Sequence, residues 1–381
     1  MLNDNIFNKY LAKHSLNHSF RKNFSIKKNI YHYFVIIPVY NEYNFLFDTL
    51  ESINNNEEIY LKDLLVVLII NNSVDDPQSI KDNNYKTYQS LKQKKYKYDF
   101  VSIDCFSEKY QLKNKHSGVG FARKIGMDYI LKYSKSDSII FSLDADTIVD
   151  ENYFSVILKV FKNSKINACT INFSHQKSED LVIEKAIREY ELKLKEIAKK
   201  INNTGSIYGY VSMGSAIAFT ALAYIKVGGM AKKKATEDFY FLQSLAKYTS
   251  IHQINEILVY PSSRDQQRVY LGTGYRINEY KNNQKFINLD YSDIAYNNLK
   301  LLLMIIRESY QDEYYTVIQK LENQCNQNVI DFLEFNNFRD IWNKFCIESK
   351  NKKQFLLFFN QWFDALKTIK FLKKLSYTNK I

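Results

Sequence analysis

Two carboxylates with one residue between them, Asp144 and Asp146, end a short apolar run, Ser138-Ile139-Ile140-Phe141-Ser142-Leu143. A run of that length stopping at polar residues reads as a buried strand of a parallel sheet. Ligands of open α/β sheets collect beyond the carboxyl ends of the strands, so both acids leave the strand where a ligand reaches them. Two hard oxygen donors at this spacing suit Mg2+ or Mn2+ held jointly with substrate phosphates. The competing reading is an acidic turn, with Asp150 capping the next helix.

Three other clusters carry chemistry. Thr236-Glu237-Asp238 opens a helical pattern, where Thr236 can cap and both acids favour the helix dipole. In the same place Asp238 could accept a proton, with Glu237 as the next candidate. Arg123 and Lys124 follow Gly118-Val119-Gly120 near a helix start and could reach a diphosphate, although solvated surface charge is the plain reading of Lys124. Arg264 and Arg268, four apart before Gly272-Thr273-Gly274, could clamp a phosphate, or else sit in a salt-bridged loop.

The elements that must position these residues follow from pattern. Residues 33–39 read as a buried strand running into Tyr40-Asn41-Glu42, with Pro38 fitting best at the strand end. Residues 64–70 form a second apolar strand, ending in Asn71-Asn72-Ser73-Val74-Asp75-Asp76-Pro77, a loop by composition. A polar helix over 79–94 and a third strand over 100–105 complete two repeats of strand, polar loop and helix. Gly118 and Gly120 do not make a dinucleotide fingerprint, because Arg123 stands where the third glycine belongs. A helix over 150–162, a strand over 168–173, a long helix over 178–201, a small apolar stretch over 208–219 forming the wall of a site, and a strand over 254–260 follow. The chain thus divides into a polar extension (1–30), an α/β domain (31–280) and an α-helical region (281–381) with patterns over 296–307, 313–323, 329–335 and 355–375. The last pattern is amphipathic, carrying Trp362, Phe363, Leu366, Ile369 and Leu372 on one face and lysines elsewhere. Packing onto the main domain is expected of it, with peripheral contact at a membrane surface as the lesser alternative.

Composition narrows the classes. Hydrophobic content of 45% and charged content of 25% are ordinary for a globular protein. No apolar run reaches the ~18 residues of a membrane span, and the N-terminus has no signal-peptide pattern, so a cytoplasmic protein is expected. Cys105, Cys169, Cys325 and Cys346 are scattered as reduced thiols would be. The net charge of +12 comes from dispersed lysines without any zinc-finger, RRM or KH pattern, which argues against specific nucleic-acid binding. Anionic headgroups or phosphorylated substrates remain natural partners.

Taken in order, Pro38-Val39-Tyr40-Asn41-Glu42, Asn71-Asn72-Ser73-Val74-Asp75, Gly120…Ala122-Arg123…Gly126, Asp144-Ala145-Asp146, and Gly228-Gly229 before Thr236-Glu237-Asp238 resemble a family 2 glycosyltransferase of the GT-A fold. The resemblance implies a mostly parallel central sheet flanked by helices, with the α-helical C-terminal region as an appendage. It implies a hexosyltransferase-type enzyme moving a sugar from a nucleotide-diphosphate-sugar donor to a hydroxyl of a saccharide or lipid-linked acceptor, with inversion at the anomeric carbon. Cell-surface polysaccharide or glycoconjugate synthesis is the expected setting. By the same resemblance Asp146 holds a divalent cation, with Asp144 at the metal or ribose. Pro38, Tyr40, Glu42, Asn72 and Asp75 contact nucleotide, Arg123 and Glu237 belong to the substrate site, and Asp238 is the base that deprotonates the acceptor. Asn71-Asn72-Ser73 replaces the commoner Asn-Asp-Gly-Ser turn. The Gln-x-x-Arg-Trp signature of processive synthases is missing, since Asp265 precedes Arg268 and Val269 follows it.

Two rivals come from other classes. Leu143-Asp144-Ala145-Asp146-Thr147 also resembles the loop of haloacid-dehalogenase-like phosphatases, where Asp144 would be a nucleophile, but Ile148 stands where Thr or Val is usual. A non-catalytic carbohydrate-binding relative is the other, and retention of both acidic motifs argues against it.

Overall fold

The computed structural model describes residues 4–14, 16, 20–24, 26–114, 117–265, 272–287 and 289–377. They group into two units, residues 1–188 with 212–282, and residues 189–211 with 283–381.

The first unit is built on one sheet, with nine strands among the described residues. They are β1 (Arg21–Asn23), β2 (Tyr33–Val39), β3 (Leu64–Asn71), β4 (Asp99–Cys105), β5 (Ile139–Ser142), β6 (Ile148–Val149), β7 (Ala168–Phe173), β8 (Ile217–Thr220) and β9 (His252–Tyr260), in the order β1-β4-β3-β2-β5-β8-β7-β9-β6. All eight residues of β3 are buried, as befits a Leu, Val and Ile run covered on both faces. Strands β4, β3, β2 and β5 are parallel, which bears out the expected parallel centre. Beyond β5 the sheet is mixed: β8 is antiparallel to both β5 and β7, and β9 is parallel to β7. Two reversals restore direction, so β7 and β9 end on the same edge as β2, β3 and β5. That edge therefore gathers the segments after Val39, Asn71, Ser142, Phe173 and Tyr260.

Helices Tyr43–Asn54, Gln78–Leu91, Val119–Ile130, Tyr153–Ser164 and Glu237–Tyr248 belong to the same unit. Asp150 is not the cap of Tyr153–Ser164. Asn152 stands at that position, and Asp150 Oδ1 accepts from its backbone N–H at 3.0 Å. The N-terminal stretch is more than a polar extension. It contains a helix, Asp4–His14, whose Tyr10 is 3% exposed, and β1 adds antiparallel to β4. A helix with one deeply buried ring has too weak a periodicity to stand out from sequence.

The second unit is helical: the last part of Leu181–Asn203, then Asp293–Glu308, Tyr314–Gln324, Gln327–Phe335, Phe338–Glu348, Lys352–Trp362 and Ala365–Tyr377. Its core gathers Leu299, Leu302, Trp342, Phe355, Phe359 and Phe371. The single helix expected over 355–375 is two, because Asp364 Oδ1 accepts from Lys367 N at 3.1 Å and caps a new start. Among the described residues no helix is long and apolar enough to cross a membrane.

Candidate active site

The turn after β5 is held from three sides. Leu143 N donates to Ile36 O at 3.1 Å, Thr49 Oγ1 to Ala145 O at 3.0 Å, and Gln176 Nε2 to Asp146 O at 3.0 Å. Leu143, Ala145 and Thr147 are buried, while Asp144 and Asp146 are half-buried. The alternation of a strand thus persists past its end and turns both carboxylates the same way.

Each of these acids meets an arginine. Arg123, only 2% exposed, bonds Asp144 with Nη2 and Glu237 with Nη1. Arg264 bonds Asp146 and reaches both carboxylate oxygens of Glu42 at 3.0 Å, with its guanidinium 4.0 Å from the centre of the Phe45 ring. Arginine suits such bridges because its planar fork serves two partners at once. Burial opposes the charge of Arg123, but Asp144, Glu237 and Asp238 outweigh it and hold the group charged beyond its ordinary range. Burial opposes Arg264 likewise, and Asp146 and Glu42 outweigh that. Burial raises the Asp144 carboxyl, with Arg123 pulling it back and Asp146 and Asp238 adding to the rise. Glu237 is pushed up to about 7, first by burial, against Arg123 and with help from Asp238.

The helix carrying Arg123 sits tight against the loop that leads to Glu237. A side chain on Gly120 would place its Cβ 2.6 Å from the carbonyl oxygens of both Ala231 and Lys233. Thr236 stands at the start of the helix Glu237–Tyr248 with φ 63°, and its hydroxyl turns back to Ala235 O instead of capping. The expected cap is therefore not formed. Asp238 is half-buried, and its Oδ1 accepts from Phe239 N at 2.8 Å.

At the ends of β2 and β3, Tyr40 OH donates to Asp76 Oδ1 at 3.0 Å, and Asp76 Oδ2 accepts from Ser73 N at 2.6 Å. Asp75 is exposed and bonds Asn114 from the loop after β4. Two expected contacts are corrected. Pro38 lies buried inside β2, paired in register with Ile69. Asn72 is fully buried, accepting from Asn84 and donating to Ser73 O, so its amide braces the loop. Lys124 is corrected as well: it is buried, with its ammonium bonded to Tyr10 and Asp128 and not to Asp144, Asp146 or Glu237. Arg268 lies outside the described residues.

A cavity of about 180 Å3 opens between these groups, lined by Asp144, Asp146 and Arg264 together with His175, Met213 and Ser215. Met213 and Ser215 come from the stretch read as a site wall. His175 was missed; it stands just past β7, where the rule about strand ends would have found it. A larger groove of about 1100 Å3 opens at the opposite ends of β2 and β5, beside Tyr33 and Ile139, and none of the candidate residues lines it. Size alone does not mark the chemistry here.

Among the described residues no group of three or more His, Cys, Asp or Glu side chains is arranged to hold a metal ion. Asp144 and Asp146 alone suit Mg2+ or Mn2+, which commonly take one or two carboxylates and complete their shell with phosphate and water.

The family model for glycosyl transferase family 2 matches residues 34–225, half of the chain. The chain belongs to this family. The match runs from β2 through the strand-end acids and stops short of Glu237 and Asp238. No curated protein matches the sequence. Among solved structures the matches are at low identity. Staphylococcus aureus TarS residues 1–349 in complex with UDP-GlcNAc is 12% identical over 91% of this chain and 90% of that one, with a TM-score of 0.46. The mannosyltransferase PcManGT from Pyrobaculum calidifontis, in complex with GDP-Man and Mn2+, is 12% identical over 98% and 92%, with a TM-score of 0.40. Glucosyl-3-phosphoglycerate synthase of Mycobacterium tuberculosis is 14% identical over 62% and 74%, with a TM-score of 0.37.

Proposed function

We propose that this family 2 member transfers a sugar from a nucleotide-diphosphate-sugar to an acceptor hydroxyl, with inversion at the anomeric carbon. The observation that carries the reading is the pair of arginine bridges. They tie the acids after β5 to Glu42 on one side and to the start of the Glu237–Tyr248 helix on the other. Donor and acceptor machinery are thereby linked through Asp144 and Asp146, which line the cavity.

In this reading Asp146, with Asp144, holds a divalent cation that offsets charge on the leaving diphosphate when bound. Arg264 adds a fixed positive charge beside the same place. Asp75 and Tyr40, at the outer rim, take the nucleoside. Asp238 takes the acceptor proton: unlike Glu237 it is half-buried and is not paired by Arg123, so it is reachable. In-line attack from its side displaces the nucleotide, and configuration inverts. The acceptor is a saccharide or lipid-linked hydroxyl of a cell-surface polymer or glycoconjugate. The exposed lysines Lys352, Lys353, Lys370 and Lys373 would hold the enzyme at an anionic membrane face.

The test is a thermal-shift panel of UDP- and GDP-sugars with Mn2+, since a ligand that binds only the folded state raises its apparent stability. One donor should raise the midpoint, and Asp146→Asn or a chelator should abolish both the shift and turnover. Turnover unchanged in the variant and under chelation would remove the metal from the reading. No shift with any donor would favour the non-catalytic relative.

A further inference from the structure

Lys124 is a buried cation for which the reaction has no use. It follows Arg123 in the same helix but turns the other way, with its side chain 2% exposed. Its Nζ donates to Tyr10 OH at 2.8 Å and to Asp128 Oδ1 at 3.3 Å. Tyr10 OH and Tyr224 OH each donate to that same oxygen at 2.6 Å. The ammonium also lies 5.1 Å from the Tyr10 ring centre and 5.9 Å from that of Tyr224. An ion pair taken out of water is costly unless its polar atoms are bonded; here two phenols bond Asp128 Oδ1, and Oδ2 faces Lys124 Nζ at 3.2 Å. One phenol comes from the N-terminal helix Asp4–His14, where His14 stacks on Tyr10 at 5.4 Å.

The cluster abuts Gly228-Gly229, both at positive φ, 83° and 80°. A side chain on Gly229 would run into the Tyr10 hydroxyl and come within 2.9 Å of Lys124 Nζ. From Gly229 the chain passes through residues 230–236 to Glu237, which Arg123 holds. Midway, the start of the Val119–Ile130 helix presses on the backbone of Ala231 and Lys233. Two neighbouring cations on one helix thus stand at the two ends of the segment that delivers Asp238: Arg123 bonds Glu237, and Lys124 with Tyr10 packs against Gly229. The end at Gly229, whose N–H donates to Tyr224 O at 2.9 Å, also packs against Tyr10, a residue more than two hundred positions upstream.

We propose that the N-terminal helix is a positioning element of the active site, fixing the 229–236 segment through Tyr10 and Lys124 and with it the place of Asp238. The proposal rests on the reading of Asp238 as the base, and its test separates the two. In the full chain, Tyr10→Phe keeps the ring and removes the hydroxyl. Amide hydrogen exchange should then rise over 229–240 and stay level in β2 and β3. Turnover of the donor selected by the panel should fall roughly 10- to 100-fold in kcat, with the donor KM unmoved.

A role in stability alone predicts the reverse: a lower midpoint, exchange raised across the sheet, and unchanged kcat per folded molecule. That outcome overturns the proposal, and so does raised exchange over 229–240 without loss of kcat. Lys124→Met should repeat the local effect more strongly, and if it fails to fold, Tyr10→Phe decides alone. Asp238→Asn is run beside them. If it keeps transfer, the base assignment falls, while exchange over 229–240 in Tyr10→Phe still decides whether the helix fixes the segment.

Discussion

Asp238 and Glu237 are neighbours in sequence with different surroundings, and substitution separates their roles. Asn replaces Asp well at a helix start, where the interaction is worth about 0.3–1 kcal/mol. Asp238→Asn should therefore leave stability and donor affinity almost unchanged while transfer falls roughly 10²–10⁴-fold. Calorimetry for the donor and a transfer assay check this pair, and intact transfer would pass the base role to Glu237. Glu237 makes its own prediction through pH. Its carboxyl is raised from an ordinary 4.5 to about 7, so between those values the folded chain holds a proton that the unfolded chain releases. Stability from this group is present below about 4.5 and is lost as pH rises toward 7. Glu237→Gln cannot titrate, so the variant should gain on the wild type between pH 5 and pH 7.5 in denaturant unfolding. A constant gap would deny the shift. For Arg264, Lys keeps the charge but serves one partner where the guanidinium serves Glu42 and Asp146. Arg264→Lys should lower kcat/KM about 10-fold or more, at a cost of over 1.4 kcal/mol; near-normal kinetics would remove Arg264 from the site.

At the scale of elements, the sequence was most readable where one face or a whole run is apolar. β3 stands within a residue of its expected limits, because an unbroken Val, Ile and Leu run has few alternatives in a covered sheet. The acids at 144 and 146 were legible for the same reason, being polar residues where an apolar run stops, and those at 237 and 238 as acids that open a helical pattern. What escaped was set by partners distant in sequence. The burial of Asn72 depends on Asn84, that of Lys124 on Tyr10 and Asp128, and the place of His175 on the sheet order. The helix Phe338–Glu348 also escaped, although Phe338, Trp342 and Phe345 have helical spacing, because Asn337 at φ 55° starts it directly after another helix. The break at Asp364 was hidden by apolar periodicity running through it. It gives a local prediction: Asp364→Ala should cost about 1 kcal/mol by urea unfolding, with donor binding unchanged. A loss near zero would mean that Asp364 does not set the start of Ala365–Tyr377.

For the molecule as a whole, the last two helices turn Phe355, Phe359, Phe371 and Leu372 inward and leave Lys352, Lys353, Lys370 and Lys373 outside. Half-buried Leu366 and Ile369 lie among those lysines. A lysine near an anionic surface contributes about 1 kcal/mol, so reversing both Lys370 and Lys373 to Glu should weaken sedimentation with anionic vesicles by more than tenfold. Equal binding to neutral vesicles, or none to either, would dismiss the membrane contact.

The place of β5 in the sheet has a consequence for synthesis. One of its neighbours, β2, precedes it in the chain, but the other, β8, begins only at Ile217. At a translation rate of roughly 5–20 residues per second, about 4–15 s pass between the emergence of the two strands. For that interval the nascent chain carries the outer edge of Ile139–Ser142 unpaired, with only β2 beside it. An open apolar edge is a template for intermolecular pairing. The carboxylates that follow it, Asp144 and Asp146, together with Asp137 before it, are also the charges nearest that edge and able to keep it from a neighbouring chain. The residues read as holding the donor in the finished enzyme thus stand as gatekeepers while it is being made.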